Sequence, residues 1–330
     1  MTLQERLIAH QNTYSKCFRA KPSVLLSSLL TLNCVVPFYR ADQTIRETVL
    51  CLQLACAYAL KQGVIHHASI CVVVDGCAMP DLSGIPNEPQ IQIETKHHFV
   101  NKGRAAARNT GLFGSLCALT AFVDADVWVD PAAIFRHVAI HHQMLTAGST
   151  AITFGLFETF KVSANEAKRL TRTDLKGSTG ALDFRILCDF KEAYTCCSED
   201  AAFVGRRFEI FRDTNDLNAW PREGWFGPWM LPEMCLGGFF MVPTGEARSV
   251  GGFDESFDQY GYEETTLVAK LMGLTGAKLV PLKDCRNLHI DVVDGAQSRA
   301  DKDEMLRKSY LKYHNEFLSQ EHKNQELELQ

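Results

Sequence analysis

The chain has 330 residues, 46% of them hydrophobic and 22% charged, with a formal net charge of −5. That apolar fraction belongs to folded globular proteins and excludes disordered, collagen-like and low-complexity chains. With 34 Lys and Arg against 39 Asp and Glu, no global basic field exists to hold nucleic acid, so an anionic ligand must be met by a local device.

Residues 1–29 read as an N-terminal helical extension. Residues 30–36 are an apolar, β-branched run stopped by Pro37, which predicts a first strand, and 44–61 is amphipathic and predicts a helix. A second strand over 69–74 ends in the turn pair Asp75-Gly76, and the Pro-, Gly- and Asn-rich stretch 81–90 reads as a loop. A short third strand is expected at 91–94, a helix at 104–119 and a fourth strand at 120–123. Pro131 is expected to open the next helix at its favoured first-turn position. Strands separated by helices imply βαβ units and a mostly parallel sheet with ligands at the carboxyl ends of its strands. The stretch 158–234 is irregular and holds three of the four Trp. Beyond it, a strand is expected at 237–243, a helix at 263–274 and a final strand at 278–282. From Ala300 the chain reads as a charged helix with Leu306, Tyr310 and Tyr313 on one side, suited either to covering the sheet or to pairing with a second subunit.

The 12 cysteines show no C-x-x-C spacing, which argues against a zinc ribbon or a thioredoxin-type pair. Cys34, Cys51, Cys56, Cys71 and Cys117 sit in apolar runs, as reduced core thiols do, and the vicinal pair Cys196-Cys197 reads as incidental. No basic-then-apolar leader opens the chain. The uncharged run 22–38 is interrupted by Ser27, Ser28, Thr31 and Asn33 and is shorter than the roughly 20 apolar residues of a membrane span. The expectation is a soluble, cytoplasmic protein.

Three segments carry chemistry. Asp124-Ala125-Asp126 closes the fourth strand, and the two-residue period of a strand places both carboxylates on one face, where they can share a hard divalent cation; a solvated acidic turn is the plainer reading. Upstream, Gly103 lets the backbone turn into a helix on which Arg104 and Arg108 lie four apart, a plausible diphosphate site or a surface helix with two solvated arginines. Downstream, Gly251-Gly252-Phe253-Asp254-Glu255 leads to Glu263-Glu264 at a helix start, where carboxylates also serve as simple first-turn acids. His137 and His141 stand at i,i+4, but no glutamate follows His137 as a zinc signature requires, so a surface helix is expected there. Trp220, Trp225, Phe226 and Trp229 suit either a sugar-stacking wall or a core patch.

Taken in order, these segments resemble the GT-A glycosyltransferases, above all the inverting family 2 type, and are similar to chondroitin-polymerase catalytic modules and polypeptide N-acetylgalactosaminyltransferases. The resemblance runs from Asn33 to about His289. It rests on Val36-Pro37-Phe38-Tyr39-Arg40, on Asp75, on the Gly-x-x-x-Ala-Arg-Asn-x-Gly helix, on Asp124-Ala125-Asp126, on the Gly-Gly-Phe-Asp-Glu segment with its acidic pair, and on Asn287-Leu288-His289 after the last strand. It implies an α/β GT-A fold, Rossmann-like, with a nucleotide-sugar-binding half over 30–157, an acceptor-binding half over 158–299 and a C-terminal helix over 300–330.

By the same resemblance, Pro37, Tyr39, Arg40, Asp75 and Gly103 would line the nucleotide site and Arg108 would neighbour uracil or diphosphate. Asp124 would face ribose and metal, while Asp126 and His289 would ligate the metal. Glu263 would hold the acceptor or sugar, and Glu264 would be the catalytic base. The implied cofactor is Mn²⁺ or Mg²⁺, with imidazole favouring Mn²⁺. The implied activity moves a hexosyl or N-acetylhexosaminyl group from a UDP-sugar to a glycan, peptide or small-molecule acceptor. Two departures stand out: Val74-Asp75-Gly76-Cys77 replaces the usual Asp-Asp-Gly-Ser, and Glu263-Glu264 replaces the usual Glu-Asp. A sugar-1-phosphate nucleotidyltransferase and a non-catalytic nucleotide-sugar or glycan-binding module are the competing readings. The first would open on a Gly-rich loop and a Lys, where this chain has Pro37-Phe38-Tyr39-Arg40.

Overall fold

The computed structural model of the chain describes residues 1–12, 14, 17, 30–183, 192–195, 204–207, 228–293 and 299–322. A short helix, α1 (Leu3–Ala9), is closed at its start by a capping box between Thr2 and Glu5. Then come β1 (Leu30–Phe38), α2 (Ile45–Lys61), β2 (Ile65–Asp75), β3 (Ile91–His98), α3 (Arg104–Phe113), β4 (Leu119–Val123), β5 (Val127–Trp128) and α4 (Ala133–Thr146). These are followed by β6 (Ala151–Val162), α5 (Ala164–Ala167) and β7 (Ala181–Leu182), and by the antiparallel pair β8 (Glu192–Thr195) and β9 (Val204–Arg207). A 3₁₀ helix (Pro228–Met234) leads into β10 (Phe239–Pro243), α6 (Thr244–Ser249), α7 (Glu263–Lys270), β11 (Lys278–Val292) and α8 (Arg299–Lys312).

One sheet runs in the order β3-β2-β1-β4-β10-β6-β11-β5, with β7 beside β6. The strands β3, β2, β1 and β4 are parallel. Beyond them the sheet is mixed: β10 runs antiparallel to β4 and β6, β6 and β11 are parallel, and β5 is antiparallel to β11. Phe239 pairs with Val123, so the start of β10 abuts the carboxyl end of β4. That junction positions the site.

Alternation along β1 explains the two cores. Leu32, Cys34 and Val36 face one side, where α2 and α4 add Ile45, Val49, Leu52, Ile134 and Val138. Val35 faces the other, joined by Leu112 of α3, Leu267 and Val268 of α7, and Tyr310, Tyr313 and Phe317 after them. The C-terminal helix therefore covers the sheet with the aromatic side identified from its spacing. Cys34, Cys51, Cys56 and Cys71 are buried free thiols and Cys117 is half-buried and free, whereas Cys196-Cys197 lies outside the described residues. Among the described residues, no helix is long and apolar enough to cross a membrane.

Several boundaries differ from expectation, each for a physical reason. β1 continues through Pro37 to Phe38: its pairing with β4 ends at Val35, so a residue without an N–H is tolerated where one flank of the strand is open. α3 stops at Phe113, capped by Gly114, and α4 starts at Ala133, two residues past Pro131. The helix from Glu263 is regular only to Lys270 and widens into a π turn over Leu271–Thr275. β11 does not stop at Leu282 but resumes along β6 after a register shift between Leu282 and Asn287, so His289 lies within the last strand and not after it. The helix bearing His137 and His141 is no surface helix. Both residues are fully buried on the face shared with Ile134 and Val138, and the Thr153 hydroxyl contacts His137 Nδ1 at 2.7 Å and His141 Nε2 at 3.2 Å. Burial pushes His137 down to about 3 and His141 to about 4, so both are neutral core groups.

Candidate active site

The carboxyl ends of β1, β2 and β4 hold most of the candidate residues. After β1, Tyr39 is half exposed and Arg40 adopts a left-handed conformation at φ 52° with its guanidinium 5.0 Å from the Tyr39 ring. At the end of β2 the Asp75 carboxylate is buried and already engaged. Its Oδ1 meets His98 Nδ1 at 2.8 Å and accepts from the Lys102 amide at 2.9 Å, while Oδ2 accepts from the Gly103 amide at 2.9 Å. His98 Nε2 in turn meets Thr110 Oγ1 at 2.8 Å. Asp75 thereby shapes the loop before α3, where Gly103 turns the chain at φ 89°, a conformation that favours glycine.

Arg104 and Arg108 share a face of α3 at very different depths. Arg104 is 42% exposed at its side chain and pairs with Glu263 Oε1 at 3.3 Å. Arg108 is fully buried: its Nη2 donates to Asp124 Oδ1 at 2.7 Å and its Nη1 to Glu263 Oε1 at 3.2 Å. It thereby links the end of β4 to the start of α7.

Glu263 and Glu264 are both buried and differently charged. Burial works to raise Glu263, but Arg104 and Arg108 outweigh it and hold the carboxyl below its usual range. For Glu264, burial and then the neighbouring Glu263 charge dominate and push it up to about 7. Glu264 Oε1 accepts from the Gly237 amide at 3.0 Å. The close approach requires glycine at that position: a Cβ on residue 237 would lie 2.7 Å from Arg108 Nη2 and 3.3 Å from the Glu264 carboxyl carbon.

His289 Nε2 lies 3.7 Å from Asp126 Oδ2, and Asp126 Oδ1 is buried without a hydrogen-bond donor among the described residues. Burial works to lower His289, but Asp126 outweighs it and raises it. Among the described residues, no three His, Cys, Asp or Glu side chains converge as a complete metal cage. A hard cation completes its shell from ligand oxygens and water, so a carboxylate with an orphaned oxygen facing an imidazole fits one.

A model of the glycosyl transferase family 2 domain matches residues 34–214, more than half of the 330-residue chain. The chain belongs to glycosyl transferase family 2. Its fold is GT-A, and as a member of the family it is a glycosyltransferase. Among solved structures it is similar to GalNAc-T7, crystallised with UDP, GalNAc and Mn²⁺, with 16% identity over 88% of this chain and 48% of that one and a TM-score of 0.55. S. aureus TarS 1–349 in complex with UDP matches with 13% identity over 87% of this chain and 72% of that one, TM-score 0.48. A mannosyltransferase from Pyrobaculum calidifontis in complex with GDP-Man and Mn²⁺ matches with 12% identity over 90% and 71%, TM-score 0.46. No curated protein matches the sequence.

The family match ends before Gly237, Glu263, Glu264 and His289, so in this glycosyltransferase the acidic pair stands on geometry and motif order. Sequence reasoning overlooked Gly237, whose signal was the Gly237-Gly238 pair just before an apolar strand, and Glu233, an isolated acid outside any motif. Trp220, Trp225 and Phe226 lie outside the described residues, as does the side chain of Trp229.

Proposed function

We propose that this family 2 glycosyltransferase moves a sugar from a nucleoside diphosphate sugar, a UDP-sugar, to an acceptor hydroxyl with inversion at the anomeric carbon. The observation that carries the proposal is the unequal pair of buried glutamates beside the end of β4. Glu264, pushed up to about 7, is a base poised at neutral pH, while Glu263 is held ionised by two arginines.

Glu264 takes the proton of the acceptor hydroxyl as that oxygen forms its bond to the anomeric carbon. The bond from the anomeric carbon to the diphosphate oxygen breaks, and its electron pair leaves with the nucleoside diphosphate. The Gly237 amide holds Oε1 of Glu264. Glu263, anchored by Arg104 and Arg108, is placed to orient a sugar or acceptor hydroxyl, and Arg108 also fixes Asp124 at the end of β4. Tyr39 presents an exposed ring at the nucleoside end. Asp126 and His289, with Asp124 nearby, are the residues that would hold a divalent cation, Mn²⁺ in preference to Mg²⁺ given the imidazole. When bound, that ion supplies Lewis-acid neutralisation of charge on the departing diphosphate.

A panel of UDP-, GDP- and TDP-sugars with and without Mn²⁺, read by thermal shift and by release of nucleoside diphosphate, tests the proposal. Stabilisation and slow donor hydrolysis by a UDP-sugar with Mn²⁺ are expected. Glu264→Gln is expected to keep donor binding and lower turnover by about 10²–10⁴-fold, the usual contribution of a general base. Near wild-type turnover in that variant would remove Glu264 from the base role.

A further inference from the structure

Tyr262 occupies a left-handed backbone conformation, φ 70° and ψ −6°, at the residue immediately before Glu263 and Glu264. Outside glycine such a conformation is strained and persists only where the surroundings fix it. Here they do. The Tyr262 hydroxyl donates to Glu233 Oε2 at 2.8 Å, and the buried ring lies 5.1 Å from the Tyr313 ring and 6.0 Å from that of Tyr310. His314 Nε2 stands 3.0 Å from the other Glu233 oxygen. Tyr313 and His314 extend the C-terminal helix α8, which also grips the turn ahead of Tyr262. Ser309 Oγ donates to the Tyr260 carbonyl at 3.1 Å, and Leu306 packs so closely on Gly261 that a Cβ there would lie 2.6 Å from its Cδ1.

Glu233 belongs to the segment that, four residues later, delivers the Gly237 amide to Glu264. The Tyr262–Glu233 hydrogen bond therefore ties together the two stretches of backbone that fix the Glu264 carboxyl: the start of its own helix and the strand entry whose N–H binds it. We propose that Tyr262, held by Glu233 and packed against Tyr313, is a positioning residue for the Glu263–Glu264 pair, and that residues 299–322 are the clamp that keeps it in place. This inference rests on Glu264 being the base.

Tyr262→Phe removes only the hydroxyl, and two readouts follow it. Amide hydrogen exchange over 231–238 and 260–266 is expected to be faster in the variant than in the wild-type chain; unchanged exchange overturns the proposal without reference to any substrate. In steady-state release of nucleoside diphosphate from a UDP-sugar, kcat is expected to fall about tenfold or more, as displacement of a reacting group does, with the donor KM within about twofold. Faster exchange with unaltered kcat overturns the positioning role. Glu233→Gln still accepts the phenol proton and is expected to retain at least about threefold more kcat than Glu233→Ala; equal losses overturn the assignment to that bond. Absence of turnover by the wild-type chain with every nucleotide sugar would instead refute the functional reading, and the exchange data would still decide whether Tyr262 holds the Gly237–Glu264 contact.

Discussion

Glu264→Gln separates what the buried carboxyl does for the reaction from what it costs the fold. Burial and the adjacent Glu263 push Glu264 from its usual 4.5 up to about 7. Between those values the folded protein keeps a proton that the unfolded chain has released. The folded state thus binds more protons, and this group's contribution to stability falls as pH rises from about 4.5 to 7 and is level above. At 1.36 kcal/mol per pH unit, the full loss is roughly 3 kcal/mol, of which less than about 1 has developed by pH 5. A glutamine has no proton to lose, and its Oε1 still accepts from the Gly237 amide. In urea denaturation at pH 5 and pH 8, the variant is therefore expected to gain on the wild-type chain by roughly 2–3 kcal/mol between the two. Turnover moves oppositely, because only the ionised carboxyl accepts a proton, and wild-type activity should drop about tenfold per pH unit below 7. A stability gap that is the same at both pH values, or a glutamine variant weaker than wild type at pH 8, would refute the reasoning.

Arg108→Leu leaves Glu263, 1% exposed at its side chain, with Arg104 at 3.3 Å as its other arginine; breaking a buried pair from one side should cost about 3–5 kcal/mol in urea denaturation, and a variant as stable as wild type would contradict that. Gly237→Ala puts a methyl 2.7 Å from Arg108 Nη2, so steady-state assays should show kcat lowered about tenfold or more, whereas an unchanged kcat would show that the amide contact is dispensable. Asp126→Ala should abolish the Mn²⁺-dependent part of thermal stabilisation by UDP; its persistence would place the cation elsewhere.

The elements readable from the sequence are those whose pattern is set by their own residues. The apolar runs of β1 and β2 and the i, i+4, i+7 spacing of Ile45, Val49 and Leu52 in α2 need only a sheet face to bury against. The second half of β11 was not readable, because Lys283, Asp284, Arg286 and Asn287 look like a polar loop. Its strand character comes from β6, which offers a twelve-residue edge that pairs again from Asn287 onward. The burial of His137 and His141 has the same origin. Spacing predicts their helix, but Thr153, on β6, supplies the hydroxyl that makes burying two imidazoles tolerable.

The site divides along the same line. Asp124, Asp126, Glu263 and Glu264 announce themselves by spacing, and so do Arg104 and Arg108, but spacing assigns a face and not a depth. Depth changes the chemistry. Arg108 lies beneath Arg104 because β4 and α7, far apart in sequence, both bring a carboxylate to it, and it becomes a strut between them. Both arginines are committed to carboxylates, Arg104 to Glu263 and Arg108 to Glu263 and Asp124. His289 adds a positive charge only while protonated, and a metal ligand must be unprotonated. With the arginines so engaged, the divalent cation proposed at Asp126 and His289 would be the group that meets an anionic diphosphate.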